Sequence, residues 1–157
     1  MPNWCENKVR IEGPVDKIYD MAKAVEEERL LKYLVPVKDD YHTQIQAWGT
    51  KWDISEPYME HNVEDGVIEA SFMTAWGPPD AAISTYLLNN DDVTIENYFY
   101  EGGNAFAGVD GESVELPATS DDPVWEEDGL LQAVDRVFNI REQMIEWETL
   151  EVEDNLE

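Results

Sequence analysis

Strand-like and helix-like segments follow one another in the order β-α-β-β-α-β, with one further helix at the end of the chain. This order predicts an α+β fold: a ferredoxin-like antiparallel sheet with helices on one face, plus a long acidic C-terminal helix. The 157 residues are 43% hydrophobic and 11% aromatic, which is enough for one domain with a real core. We therefore expect a single domain, 1–157, with its ferredoxin-like core in 1–117.

The first strand and helix are predicted from hydrophobic periodicity. Residues 3–12 alternate, and we expect Trp4, Val9 and Ile11 to face the core. The charged residues Lys8, Arg10 and Glu12 are expected to face water. Apolar residues at helical spacing then predict a helix over 16–29.

The middle of the chain is predicted to form two strands after a loop. Residues 38–50 are polar and rich in turn-forming residues, which indicates a loop. A second strand region is expected from Trp48 to about residue 63. The dipeptide Asp65-Gly66 is a hairpin signal, and the next strand is expected over 67–75.

The remaining elements follow from breaks at proline and glycine. A short helix is predicted over 80–88, after two prolines, and a strand over 93–100. One or two more strands are expected within 105–116. The segment 118–150 is assigned to the C-terminal helix, which we expect to run unbroken from about 124, and 151–157 to an acidic tail.

Four short motifs resemble a known family. They are MPNWCEN at 1–7, WGTKWD at 48–53, TAWGPP at 74–79 and EGGNAFAG at 101–108. Together they are similar to the YubB-type ferredoxin-like domain family of phages and plasmids. The resemblance covers roughly residues 1–110. It implies the ferredoxin-like fold and a mobile-element origin, and it brings no catalytic residues.

Charge is divided very unevenly along the chain. The whole chain has 36 acids and 10 bases, for a net charge of −26. Residues 1–52 carry 9 acids and 8 bases, whereas the 83 residues from 53 to 135 hold 20 acids and no lysine or arginine. Clustered cations are what phosphate-binding surfaces need, so this composition argues against binding to nucleic acid or to an anionic membrane.

The aromatic and thiol side chains in the motifs favour structural roles. Trp4, Trp48, Trp52 and Trp76 are expected in the core, with a base-stacking platform as the alternative that the lack of cations disfavours. Cys5 is the single cysteine, so no disulfide can form within the chain, and we expect a buried thiol more than a nucleophile. No spacing predicts a zinc site, a calcium loop or a phosphate loop. We expect no enzyme activity and no cofactor.

The acids are the strongest functional signal in the sequence. On a continuous C-terminal helix, one face would carry five acids at steps of 7, 7, 4 and 7 over roughly 38 Å. These are Asp128, Asp135, Glu142, Glu146 and Glu153. A solvated face is the ordinary interpretation of a charge run, but such faces usually mix both signs. The candidate partner-binding acids are Asp91, Asp92, Glu96, Asp110, Glu112, Glu115, Asp121, Asp122, Glu126, Glu127, Asp128, Asp135, Glu142, Glu146 and Glu153.

This charge predicts a DNA mimic. Duplex DNA carries about one charge per 1.7 Å, so 26 charges match roughly 44 Å of duplex. A globule of this length has a diameter of roughly 40 Å, which gives a comparable charge density. The expected function is that of a phage or plasmid protein that occupies the DNA-binding groove of a host defence enzyme, such as a restriction–modification system. In charge, though not in sequence, this is similar to the overcome-classical-restriction proteins.

Two alternatives remain open at this point. One is an acidic adaptor or inhibitor that binds a basic partner without mimicking DNA, and the other is a family member adapted to high salt. The near balance of charges in 1–52 counts against the high-salt alternative. A homodimer is compatible with the sequence. The lack of a signal peptide and of an 18-residue apolar run predicts a cytoplasmic protein.

Overall fold

The computed structural model describes residues 2–156, with the side chains of residues 61 and 62 left aside. The strands are β1 (Trp4–Glu12), β2 (Ser55–Asn62), β3 (Val67–Ala75), β4 (Thr94–Glu101), β5 (Phe106–Val109) and β6 (Glu112–Glu115). The helices are α1 (Val15–Glu26), α2 (Leu30–Leu34), α3 (Tyr41–Trp48), α4 (Asp80–Asn89), α5 (Val124–Glu127), α6 (Gly129–Phe138) and α7 (Ile140–Leu156). A 3₁₀ turn, Val63–Asp65, joins β2 to β3.

The fold is α+β, as predicted, and is built on one six-stranded sheet. The strand order is β2-β3-β1-β4-β5-β6, and every neighbouring pair is antiparallel. The central strand β1 pairs with β3 along its whole length, from Trp4 opposite Ala75 to Glu12 opposite Val67. Its other edge pairs with β4. β1 therefore fixes the positions of the elements on both sides.

A first hydrophobic core lies between one face of the sheet and helices α1 to α4. Val9 and Ile11 of β1 face this core, together with Ile68, Ala70 and Phe72 of β3. The helices contribute apolar side chains at helical spacing, as the sequence predicts for the first of them. The residues of α1 that are buried are Ile18, Met21, Ala22, Ala24 and Val25.

A second core lies on the opposite face of the sheet. Leu131, Val134 and Phe138 of α6 are buried there against Ala107 of β5. Tyr98 of β4 packs against the same cluster, whereas its strand neighbours Ile95 and Phe99 point to the other side. Helices thus cover both faces of the sheet, so the prediction of a ferredoxin-like sheet with helices on one face was incomplete.

The sequence prediction was wrong about the segment between α1 and β2. Residues 38–50 contain a helix, α3, where a loop was expected, and β2 begins only at Ser55. Asp40 caps α3, since its side chain accepts a hydrogen bond from the His42 amide, and Gly49 ends the helix at φ 84°. Aspartate and glycine are also common in turns, so the two cap residues of α3 made this segment look like a loop in the sequence.

The long C-terminal helix was also wrongly predicted as continuous. It is divided into α5, α6 and α7. Asp128 caps α6 by accepting from the Leu131 amide at 2.9 Å. Asn139 adopts a left-handed conformation (φ 57°) and separates α6 from α7, a conformation that asparagine tolerates better than most residues. None of the described helices is long and apolar enough to cross a membrane.

Candidate functional site

The two helical layers differ sharply in charge. The layer over the first core, made of segment 13–52 and helix α4, holds eight acids and six bases. Segment 124–156, which contains α5 to α7 and covers the opposite face, holds ten acids and two bases. The structure therefore converts the charge division of the sequence into a difference between two faces of the protein.

The candidate acids lie mainly at the β6 edge of the sheet and on the C-terminal helices. β6 is an edge strand of the sheet, and its first and last residues, Glu112 and Glu115, are exposed acids. Charged side chains on an edge strand also discourage pairing with another chain. The candidates that are exposed are Asp91, Asp92, Glu96, Asp110, Glu112, Glu115, Asp121, Glu126, Glu127, Glu142, Glu146 and Glu153.

Several candidate acids already serve the fold. Asp92 forms a salt bridge with Lys17, with an oxygen–nitrogen distance of 2.7 Å. Asp122 accepts a hydrogen bond from the Val124 amide at the start of α5. Asp135 accepts from the Arg141 amide at the start of α7, at 2.8 Å. Acids that are already in a salt bridge, or that stabilise the start of a helix, are poorer candidates for binding a partner.

The predicted five-acid row is therefore reduced to three. Asp128 and Asp135 cap helices, and the break at Asn139 separates them from the rest of the row. Glu142, Glu146 and Glu153 remain on α7, where their spacing of four and seven residues places them on one face. All three side chains are exposed.

Helix α7 also exposes apolar side chains. Trp147 is 69% exposed, and Leu150, Val152 and Leu156 are exposed beyond it. The first half of the helix is attached to the rest of the protein, because Ile140 is buried and the Glu148 carboxylate accepts from the Ser120 amide. The second half of α7 thus presents carboxylates and apolar groups together.

A groove that the sequence did not indicate lies on the sheet beside α6. It has a volume of about 550 Å³. Lys8 and Arg10 of β1 lie in it, but Lys8 donates to the Val137 carbonyl and Arg10 is bound by Glu12 and Glu69. The groove is lined by Lys8, Val9, Arg10, Tyr58, Glu60, Glu69, Ala70, Ser71, Glu96, Tyr98 and Val137. Arg10 is already paired with two carboxylates and Lys8 already donates to a carbonyl, so the groove is a poor site for an anion.

The four sequence motifs meet at one end of the sheet. The Asn7 side-chain amide donates to the Thr74 hydroxyl at 2.9 Å, and that hydroxyl donates to the Gly77 carbonyl. Thr50 donates to the Ala75 carbonyl. The Trp76 amide donates to the Asn3 carbonyl. The motifs thus make a polar network that joins strands far apart in the chain.

The fourth motif contributes a buried carboxylate to this end of the sheet. Glu101 is fully buried, and its two oxygens accept from the backbone amides of Gly103 and Asn104 at 2.7 and 3.0 Å. These bonds shape the turn between β4 and β5. These contacts give the motif a role in the fold.

In comparisons with protein-family models, with curated proteins and with solved structures, no match to this chain was found. In the part of the chain that the structure describes, no group of three or more His, Cys, Asp or Glu side chains is placed to hold a metal ion.

The tryptophans of the motifs do not share one environment. Trp48 is buried as expected, and its indole N–H donates to the Val35 carbonyl at 2.8 Å. Trp4 was wrongly assigned to the core: it is 36% exposed and contacts Trp52, because the inward positions of β1 are the odd-numbered ones. Trp76 is 50% exposed. The ammonium group of Lys51 lies over the ring of Trp52.

Cys5 occupies the inward position that Trp4 was expected to fill. It is fully buried, and burial raises the pKa of its thiol from 9.0 to about 12. Thr74 opposes that increase by hydrogen bonding, while the charge of Glu101 adds to it. A thiol in this environment is a weak nucleophile.

We expect Cys5 to react very slowly with a disulfide reagent in the folded protein. At pH 8 its thiolate fraction should be roughly a thousandfold below that of a thiol with a pKa of 9.0. Labelling by Ellman's reagent, measured before and after addition of guanidinium, tests this on the only cysteine of the chain. Equal rates in the two conditions would contradict the burial of this thiol.

Proposed function

We propose that the protein acts as a DNA mimic that inhibits a host DNA-binding defence enzyme, such as a restriction–modification complex, in the host cytoplasm. The observation that carries this proposal is the concentration of negative charge on one helical layer and the adjoining sheet edge. Segment 124–156 holds ten acids against two bases, and the other helical layer is nearly balanced. Self-repulsion of this kind costs stability, so a binding role that uses it accounts for its presence.

The proposed mechanism is competitive and stoichiometric. Exposed carboxylates take the place of DNA phosphates against the lysines and arginines of the enzyme groove. Opposite charge steers the two proteins together and makes association fast and sensitive to salt. The acids best placed for this are those with no helix to cap, such as Glu112, Glu115, Glu142, Glu146 and Glu153.

We also propose that the fold is ferredoxin-like and that the chain is related to the YubB-type domains of phages and plasmids. The strand order β2-β3-β1-β4, with α1 and α4 in the two crossovers, supports the first statement. The convergence of the four motifs at one end of the sheet supports the second. β5, β6 and the three C-terminal helices extend this framework and carry the acidic layer.

A second candidate function is that of an inhibitor that docks on a basic protein without imitating DNA. The observation that favours it is the exposed apolar surface of α7, with Trp147 and Leu150 beside the acids. Apolar anchors of this type carry binding energy at protein interfaces and have no counterpart in a phosphate backbone. The two functions differ in whether DNA displaces the partner.

The deciding experiment is a capture from bacterial lysate with the tagged protein, followed by elution with duplex DNA. We expect DNA-binding enzymes to be retained at moderate salt and released by the duplex. Retention of a partner that DNA does not release would favour the docking function. If no basic protein is retained even at low salt, both proposals fail.

The location of the acidic contact can be tested with two matched triple variants. One replaces Glu142, Glu146 and Glu153 of α7 by glutamine. The other replaces Asp20, Glu26 and Glu28, which are exposed on the opposite layer, by asparagine or glutamine. Both remove three negative charges. We expect the first to weaken inhibition of the captured enzyme at least about tenfold, since three distributed charge contacts are lost, and the second to have little effect. Equal losses would mean that total charge matters and its position does not.

A further inference from the structure

A small cavity lies between the first turn of α4, strand β4 and the turn that joins β5 to β6. Its volume is about 220 Å³. Asp80, the first residue of α4, and Asp110, in the β5–β6 turn, both line it, as does Asn97 of β4. The remaining lining residues are Ile83, Ser84, Leu87, Ile95 and Gly111. We call this the acidic cavity. None of its eight lining residues is a lysine or an arginine.

Asn97 supplies an observation independent of the two acids. The residue is 1% exposed, and its side-chain oxygen Oδ1 is buried without a hydrogen-bond donor among the described residues. Its amide nitrogen donates to Asn7 Oδ1 at 3.0 Å. The Asn7 amide nitrogen in turn donates to Thr74 and to the Cys5 carbonyl, so rotating the Asn97 amide would place two oxygens against each other. The orientation of the Asn97 amide is therefore fixed, with Oδ1 as the acceptor that has no hydrogen-bond donor.

A buried acceptor of this kind costs free energy unless something satisfies it. The Asp80 carboxylate carries a related cost, because burial, and then the charge of Asp110, raise its pKa. Asp110 is held in place: its Oδ1 accepts from the Asn97 amide at 2.8 Å, and its own amide donates to the Asn97 carbonyl. Asp80, Asp110 and Asn97 thus line one cavity, and no lysine or arginine is among its lining residues.

We propose that Asp80, Asp110 and Asn97 bind a hard divalent cation of the Ca²⁺ or Mg²⁺ type in the acidic cavity. Carboxylate and amide oxygens are the ligands these ions prefer, and the cavity volume leaves room for water to complete the coordination. The bound cation satisfies Asn97 Oδ1 and neutralises the two carboxylates. It also joins α4 to the β5–β6 turn, on the helical face opposite to the acidic layer. The proposal is independent of DNA mimicry.

The test must separate a site from diffuse attraction, since a protein with a net charge of −26 gathers divalent ions everywhere. We would add substoichiometric Mn²⁺ to ¹⁵N-labelled protein in about 0.15 M salt, which screens exposed charges beyond roughly 8 Å. Paramagnetic broadening should centre on the amides of Asn97, Asp110 and Gly111 and on the Asn97 side chain. Excess Ca²⁺ or Mg²⁺ should reverse it.

Two matched variants complete the test. Asp80→Asn should lower Mn²⁺ affinity at this site about tenfold or more, as loss of a metal ligand does. Asp121→Asn removes the same charge from an exposed position and should leave the affinity unchanged. Broadening spread over α7 and β6, or an equal response of the two variants, would overturn the proposal. The wild-type pattern alone decides the matter if Asp80→Asn does not fold.

Discussion

Replacement of Trp48 by alanine is expected to destabilise the protein by about 3–5 kcal/mol. Trp48 is 2% exposed and lies in the first core, where it is among the largest fully enclosed side chains. The change removes its packing contacts and leaves a cavity. It also deprives the Val35 carbonyl of the indole donor at 2.8 Å. The free energy of unfolding in urea, followed by far-ultraviolet circular dichroism, measures the loss.

A matched control is available in the same chain. Trp147 is 69% exposed on α7, so Trp147→Ala should change the free energy of unfolding by no more than about 0.5 kcal/mol. If Trp48→Ala is unfolded throughout, Trp48→Phe can replace it, since it keeps one aromatic ring while it removes the N–H donor and the rest of the indole. A loss for Trp48→Ala that is no larger than for Trp147→Ala would show that the first core is wrongly described.

Replacement of Gly108 by alanine is expected to cost about 3 kcal/mol. Gly108 lies in β5 and pairs with Phe99 of β4 on one side and Ser113 of β6 on the other. An added Cβ would overlap the Glu112 carbonyl oxygen and the tip of the Phe99 ring, and would lie 2.9 Å from the Glu112 carbonyl carbon. Backbone cannot move aside as a flexible side chain does, so β6 must separate from β5.

The effect should be local as well as large. We expect faster amide hydrogen exchange in β6 and in α6, which packs on β5, while α1 is less affected. Gly77→Ala is the control, because nothing lies within 4 Å of a Cβ built at that position. Unchanged stability of Gly108→Ala would mean that β5 and β6 are not packed as closely as described. The expected loss would explain why the fourth motif has glycine at this position.

Local periodicity accounts for how much of the fold was predictable. β3 was predicted with its observed bounds, 67–75, because its alternation is clear and a turn precedes it. α4 and β4 were predicted to within one residue at each end. α3 was missed, because it is short and only Gln44 and Trp48 are buried within it. Tertiary contacts stabilise that helix more than its own pattern does.

The candidate site was predictable in composition and not in geometry. The sequence names every acid, but it does not show that Asp128 and Asp135 cap helices, since both lie at positions that also fit an unbroken helix. A signal for the acidic cavity was present and was missed. Asn97 is polar at an inward position of a strand whose other inward residues include Ile95 and Phe99.

The sequence by itself determined the α+β class, most of the sheet, and the division of charge between the first 52 residues and the rest. These depend on composition and on short-range periods of two or 3.6 residues. Only the tertiary structure decided which acids remain exposed and which residues surround a cavity. Asp92 meets Lys17 across 75 positions, and Asn97 meets Asn7 across 90. Contacts at such separations are set by the order of the strands and the packing of helices on both faces, which no local pattern in the chain records.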